Sequence, residues 1–134
     1  MTAEIIYNGD LRTTCTHIRS KNEIITDAPV DNKGKGEAFS PTDLVATALL
    51  GCILTTIAIK VEEKGLDISG AKGTVEKIMA SNPRRIATIN MTITMPAKGY
   101  SESEKKLITK IAEFCPVGRS LHPDLDQNLS INWN

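Results

Sequence analysis

With 134 residues, 16 basic and 16 acidic side chains and no formal net charge, the chain can bury one hydrophobic core and offers nothing to attract nucleic acid or an anionic membrane. One Trp, two Tyr and two Phe leave that core mainly aliphatic. Three widely spaced cysteines argue against a secreted disulfide framework, and the opening Met1-Thr-Ala-Glu-Ile-Ile lacks the basic start and apolar stretch of a secretory signal. A single domain over 1–134 in a reducing cytoplasm is the expectation.

The first third reads as short strands. Glu4 to Tyr7, Leu11 to Ile18 and Glu23 to Thr26 are β-prone runs, separated by turn sequences at Asn8-Gly-Asp and Ser20-Lys-Asn. Asp31-Asn-Lys-Gly-Lys-Gly-Glu is a loop by composition. Ser40-Pro-Thr-Asp then carries the signals of a helix start: a capping hydroxyl, a proline suited to the first helical position and a carboxylate for the first-turn amides. This helix is predicted to run to Lys64, with Gly65 as its stop, a length of about 36 Å at about 1.5 Å per residue.

From Leu44 to Ile59 the helix has no charged residue. A bilayer span needs about 20 predominantly apolar residues. The run is shorter, contains threonines and is followed directly by Lys60, Glu62, Glu63 and Lys64, so a buried central helix is predicted and no membrane. Being apolar around most of its circumference, it needs covering on all sides, more than a chain of this size supplies. Part of it is therefore expected to face a second subunit.

Beyond this helix, Lys72 to Met79 reads as a strand. Ala87, Ile89, Met91, Ile93 and Met95 alternate with polar residues as a strand with one buried face does, after a turn at Asn82-Pro-Arg. Ser101-Glu-Ser-Glu opens a second helix with a capping-box pattern. Leu107, Ile108, Ile111, Ala112 and Cys115 share one of its faces, Pro116 breaks it, and Asn128 to Trp133 is a last strand. The predicted class is α+β.

Chemistry centres on the cysteines. Cys52 lies in mid-helix among Leu49, Leu50, Ile53 and Leu54, which desolvate a thiolate and raise the thiol pKa. An unperturbed thiol is only about 3% ionised at pH 7, so a reactive Cys52 requires a cation brought from elsewhere. Gly51 beside it suits close approach of another element, or ordinary packing. Cys115 stands at a helix end before Val117-Gly-Arg-Ser-Leu, which can begin a short new helix whose amides favour a thiolate. Cys15 sits in a strand as a bystander. His17 and His122 have no Cys, His or carboxylate at metal-ligand spacing, so no metal and no cofactor are expected.

The segment Ser40-Pro-Thr-Asp-Leu-Val-Ala-Thr-Ala-Leu-Leu-Gly-Cys, together with the later Cys115-Pro-Val, resembles the OsmC/Ohr family of osmotically inducible and organic hydroperoxide resistance proteins. The resemblance implies antiparallel sheets around a long cysteine-bearing helix and a second helix, in an intertwined homodimer. It also implies reduction of organic hydroperoxides: Cys52 as the attacking thiolate that becomes a sulfenic acid, Cys115 as the resolving thiol, and a dithiol reductant, lipoyl-type in some members, to close the cycle. The activating arginine of the family has its best counterpart in Arg12, with Arg19 a weaker choice. The glutamate that holds that arginine, ten residues before the first cysteine, is replaced here by Thr42, with Asp43 beside it, so these two are the expected substrate-side residues and the arginine clamp is altered or absent.

Two other functions compete. A non-catalytic dimer binding a small apolar or thiol ligand at the subunit interface is favoured by Thr42. A thiol-dependent hydrolase finds no His with Asp or Asn at a suggestive spacing.

Overall fold

The computed structural model describes residues 1–134 as two units, 1–45 and 46–134. The first contains strands β1 (Ala3–Gly9), β2 (Arg12–His17) and β3 (Glu23–Asp27), which form an antiparallel sheet in that order. Asp10 and Leu11 link β1 to β2 and both have positive φ, as a two-residue turn of type I′ demands. That tight turn sets Arg12 opposite Gly9, while the separate β2–β3 connection, closed by the His17 amide on the Asn22 carbonyl, sets Arg12 opposite Asp27. The sheet leaves apolar side chains exposed on both faces: Ile5 and Ile24 pair with Cys15 on one, Ile6 and Ile25 with Thr14 on the other.

Helix α1 (Pro41–Glu62) starts in the first unit and continues through the second. Ser40 and Asp43 cap it reciprocally: the Asp43 amide donates to Ser40 Oγ (3.0 Å) and the Ser40 amide to the Asp43 carboxylate (2.9 Å). The helix closes two residues before Lys64, and Gly65 follows in the left-handed region, its amide bonded to the Glu62 carbonyl. Its length and apolarity would allow it to cross a membrane. Instead Ala46, Leu49, Leu50, Ile53, Ile57 and Val61 enter the core of the second unit.

That core is closed by β4 (Lys72–Ala80), β5 (Arg85–Thr94), α2 (Glu102–Ile111), the short helix α3 (Pro116–Ser120) and β6 (Asp126–Asn132). β4 and β5 form a hairpin with a cis Asn82–Pro83 bond in its turn. The predicted alternation of β5 holds: Ile89, Met91, Ile93 and the following Met95 are buried. The α2 capping box is present, with the Glu104 amide donating to Ser101 Oγ (3.2 Å) and the Ser101 amide to the Glu104 carboxylate (2.7 Å).

The overall class is α+β, as the sequence predicts, but the second sheet is mixed: β6 runs parallel to β5, its central strand. A parallel neighbour requires a long crossover, and the segment carrying α2 and α3 is that crossover. The antiparallel pairing that the resemblance implies holds throughout the first sheet and between β4 and β5, and β6 adds one parallel neighbour.

Burial ranks the contributions. Ile57 is fully buried, so Ile57→Ala is expected to lower unfolding free energy by about 2–5 kcal/mol. Loss of one capping hydroxyl in Ser101→Ala is expected to cost about 1 kcal/mol. Urea unfolding of the two variants beside wild type checks both, and an equal effect would contradict the ranking.

Candidate active site

The break after α2 is local chemistry. Pro116 cannot continue the helix, so the chain passes through a single 3-10 turn (Ala112–Phe114), and Cys115 becomes the extended cap residue of α3, with Pro116 in its first turn. Cys115 is buried, its thiol 3.9 Å from the Leu49 carbonyl of α1. A Cβ on Gly118 would lie 2.7 Å from Gln127 Oε1, the movable end of a long side chain, and 3.4 Å from Leu49 Cδ1, an ordinary contact.

Packed in this way, Cys115 meets Cys52. Burial is the largest influence on the Cys52 thiol and pushes its pKa up. Hydrogen bonds from the Cys115 thiol, the Val117 amide and the Thr56 hydroxyl (3.9 Å) outweigh it, and Cys52 ends below the ordinary thiol value. Cys115 moves the opposite way. Burial raises it first, donating its proton to Cys52 raises it further, and the Gly118 and Val117 amides offset this only in part. Both cysteines are free thiols, so the pair is reduced.

The structure brings together the two sulfurs that the sequence singles out, and adds donors on Cys52 that the sequence did not disclose. Sequence reasoning required a cation for activation, whereas backbone and side-chain donors lower this thiol. Within one copy no other element approaches Gly51: a Cβ there would meet open space.

Arg12 lies in the first unit. Its guanidinium pairs with Asp27 (3.3 Å) and with Glu37. The Glu37 amide donates to the same Asp27 carboxylate oxygen (3.0 Å). That amide and, after it, the Arg12 guanidinium hold the fully buried Asp27 carboxyl below its usual range against desolvation. Arg12 Nε and Asp27 Oδ1 are buried without a hydrogen-bond partner, so the cluster is held at a cost. The arginine thus has carboxylate partners without a glutamate at position 42. Asp27 and Glu37 went unrecognised, because the pairing of Arg12 with Asp27 depends on the register of β2 with β3 and Glu37 comes from the following loop.

Thr42 and Asp43 are engaged locally. The Thr42 hydroxyl is 3.1 Å from Ser40 Oγ, and Asp43 caps α1. Arg19 is exposed two residues past the end of β2. His17 Nδ1 is 2.6 Å from Ser20 Oγ, and His122 Nδ1 accepts from the Asp124 amide (3.1 Å), each closing its own turn. No three His, Cys, Asp or Glu side chains converge as metal ligands.

Residues 34–130 match the OsmC family, described as OsmC-like protein. A candidate osmotic stress induced and detoxification response protein from Psychrobacter arcticus 273-4 is 48% identical, with 98% of this chain and 96% of that one covered at a TM-score of 0.94. An OsmC-like protein from Mycoplasma pneumoniae (21% identity, TM-score 0.80, 98% and 94% covered) shares the fold. So does an organic hydroperoxide resistance protein OsmC from Legionella pneumophila (17% identity, TM-score 0.77, 98% and 97% covered). No curated protein matches the sequence.

The opposite shifts of the two thiols are measurable. In a Cys15→Ser background, the pH profile of iodoacetamide alkylation is expected to place Cys52 below and Cys115 above a free thiol, near 8.5. Cys115→Ala removes a donor and should move the Cys52 inflection upward; an unmoved inflection would contradict the thiol–thiol hydrogen bond. Asp27 gives a stability signature. Because its folded pKa is depressed, its contribution is full above the unfolded value near 3.9 and is lost as pH falls through the folded one. The stability gap between wild type and Asp27→Asn, from urea unfolding at a series of pH values, should shrink below about pH 4.

Proposed function

The chain belongs to the OsmC-like family, and from that premise we propose that it is a cysteine-based peroxidase reducing organic hydroperoxides. The observation that carries the reading is the Cys52–Cys115 pair, one thiol lowered by hydrogen bonds and the other protonated and donating to it. The Cys52 thiolate attacks the distal peroxide oxygen. The O–O bond breaks, an alcohol leaves after taking a proton, and Cys52 becomes a sulfenic acid. Cys115 attacks the Cys52 sulfur, the S–O bond breaks, and hydroxide leaves as water with the Cys115 proton. A small dithiol reductant then returns the disulfide to two thiols.

Arg12 is the proposed activator, orienting the peroxide oxygens with its guanidinium. Asp27 and Glu37 act as its positioning residues in place of the carboxylate that Thr42 cannot supply. The reading as a binding-only dimer drew its support from Thr42; a carboxylate-held Arg12 removes that support. The working unit is a homodimer in the cytoplasm. A second copy covers the exposed Ile5, Ile6, Tyr7, Ile24 and Ile25 of the first sheet and the open α1 face of Ala48, Gly51, Thr55 and Ile59.

Intact-protein mass spectrometry tests the reading. One equivalent of cumene hydroperoxide added to the reduced protein should remove two hydrogens within minutes in wild type and none in Cys52→Ser. Cys115→Ser should instead gain one oxygen. Arg12→Ala is expected to slow oxidation by about tenfold or more with the fold intact. Undiminished peroxide turnover in Cys52→Ser would sink the proposal.

A further inference from the structure

The second unit contains a cavity of about 350 Å³ that Cys115 lines and Cys52 does not. Ile53, Met91 and Leu129 give it apolar walls, while Glu113 and Arg119 bring charge to it. The Arg119 guanidinium is stationed over the Phe114 ring, 4.9 Å from its centroid. A volume at the lower end of the usual ligand range, with an aliphatic wall and a few polar groups, suits a small aliphatic dithiol better than a bulky or flat molecule.

From this placement we infer that the cavity is the docking site of the dithiol reductant, and that reduction begins at the Cys115 sulfur. The inference rests on the peroxidase reading and adds to it the sulfur attacked and the side of approach. Displacement at a disulfide sulfur is in line, so the nucleophile must approach Cys115 from the side away from Cys52, and a cavity bordered by Cys115 without Cys52 meets that need. The hydroperoxide reacts at the other sulfur, Cys52, which is half-buried on α1 and does not line this cavity. The two substrates of the cycle therefore engage different sulfurs of the pair.

A thiolate of the reductant bonds to Cys115 Sγ, the Cys52–Cys115 bond breaks, and its electron pair leaves on Cys52. Cys52 leaves with the Val117 amide and the Thr56 hydroxyl at hand as donors to the departing thiolate. The second thiol of the reductant, deprotonated, attacks the reductant sulfur of the mixed disulfide and expels Cys115, which takes up a proton. The reductant departs as its own cyclic disulfide, oxidised by two electrons, and both protein thiols are restored.

The test uses full-length Cys15→Ser protein oxidised with diamide, so that it does not depend on peroxide chemistry. A monothiol, 2-mercaptoethanol, forms the first mixed disulfide but cannot resolve it intramolecularly. After an acid quench, alkylation and peptide mapping, the adduct is expected on Cys115, with Cys52 alkylated. In parallel, Thr109→Trp places a large side chain at the cavity wall from an exposed helix position and should slow reduction by dithiothreitol about tenfold. Circular dichroism confirms its fold. An adduct mainly on Cys52, or undiminished reduction of folded Thr109→Trp, overturns the inference while leaving the peroxidase reading in place. Normal trapping on Cys115 without oxidation by any hydroperoxide sinks the peroxidase reading alone, and failure of diamide to join Cys52 to Cys115 sinks both.

Discussion

Helix α1 has no polar face to turn to water, and that constraint organises the second unit. Six of its side chains, from Ala46 to Val61, are withdrawn into a core with the alternating residues of β5 and with Ile108 and Ala112. What remains exposed along the middle of the same helix is small or hydroxylated, Thr47, Ala48, Gly51 and Thr55, with the large apolar Ile59 one turn further on. Cys52 falls on the boundary between these two sides. A sulfur at that boundary is sheltered enough to be governed by its hydrogen bonds and open enough to meet a small molecule.

The second cysteine gets its place from a helix break. Pro116 ends α2, the backbone turns, and the amides of Val117 and Gly118 are presented where the two sulfurs meet. The same few residues therefore supply a proton donor to Cys52 and a partial counterweight for Cys115. In an apolar setting donors of this kind act strongly because no water competes with them. The result is one thiol poised to ionise and one poised to stay protonated, a division of labour suited to attack and resolution.

The arginine of the first unit follows a comparable logic by another route. Arg12 stands at the start of β2 because a two-residue turn brings the chain straight back, and the register of β2 with β3 then places Asp27 opposite it. Glu37 joins from the glycine-containing loop, whose backbone also donates to Asp27. Where the family resemblance points to a carboxylate on the central helix, this chain has a hydroxyl engaged with Ser40, and the acidic partners come from the strand and loop instead.

Much of this was legible in the residues. The helix starts at Ser40 and Ser101, the stop at Gly65, the alternation of β5, the break at Pro116 and the pairing of Cys52 with Cys115 as candidates all rest on interactions spanning a few residues, or on motifs that carry a family resemblance. The parallel placement of β6, the donors that lower Cys52, the carboxylates on Arg12 and the cavity behind Cys115 were not. Each depends on groups far apart in the chain meeting at hydrogen-bond distance. Local propensity fixes where an element begins and which face is apolar. The ionisation of a buried thiol and the partner of a strand are set by whichever groups the packing brings alongside, and those only the tertiary structure decides.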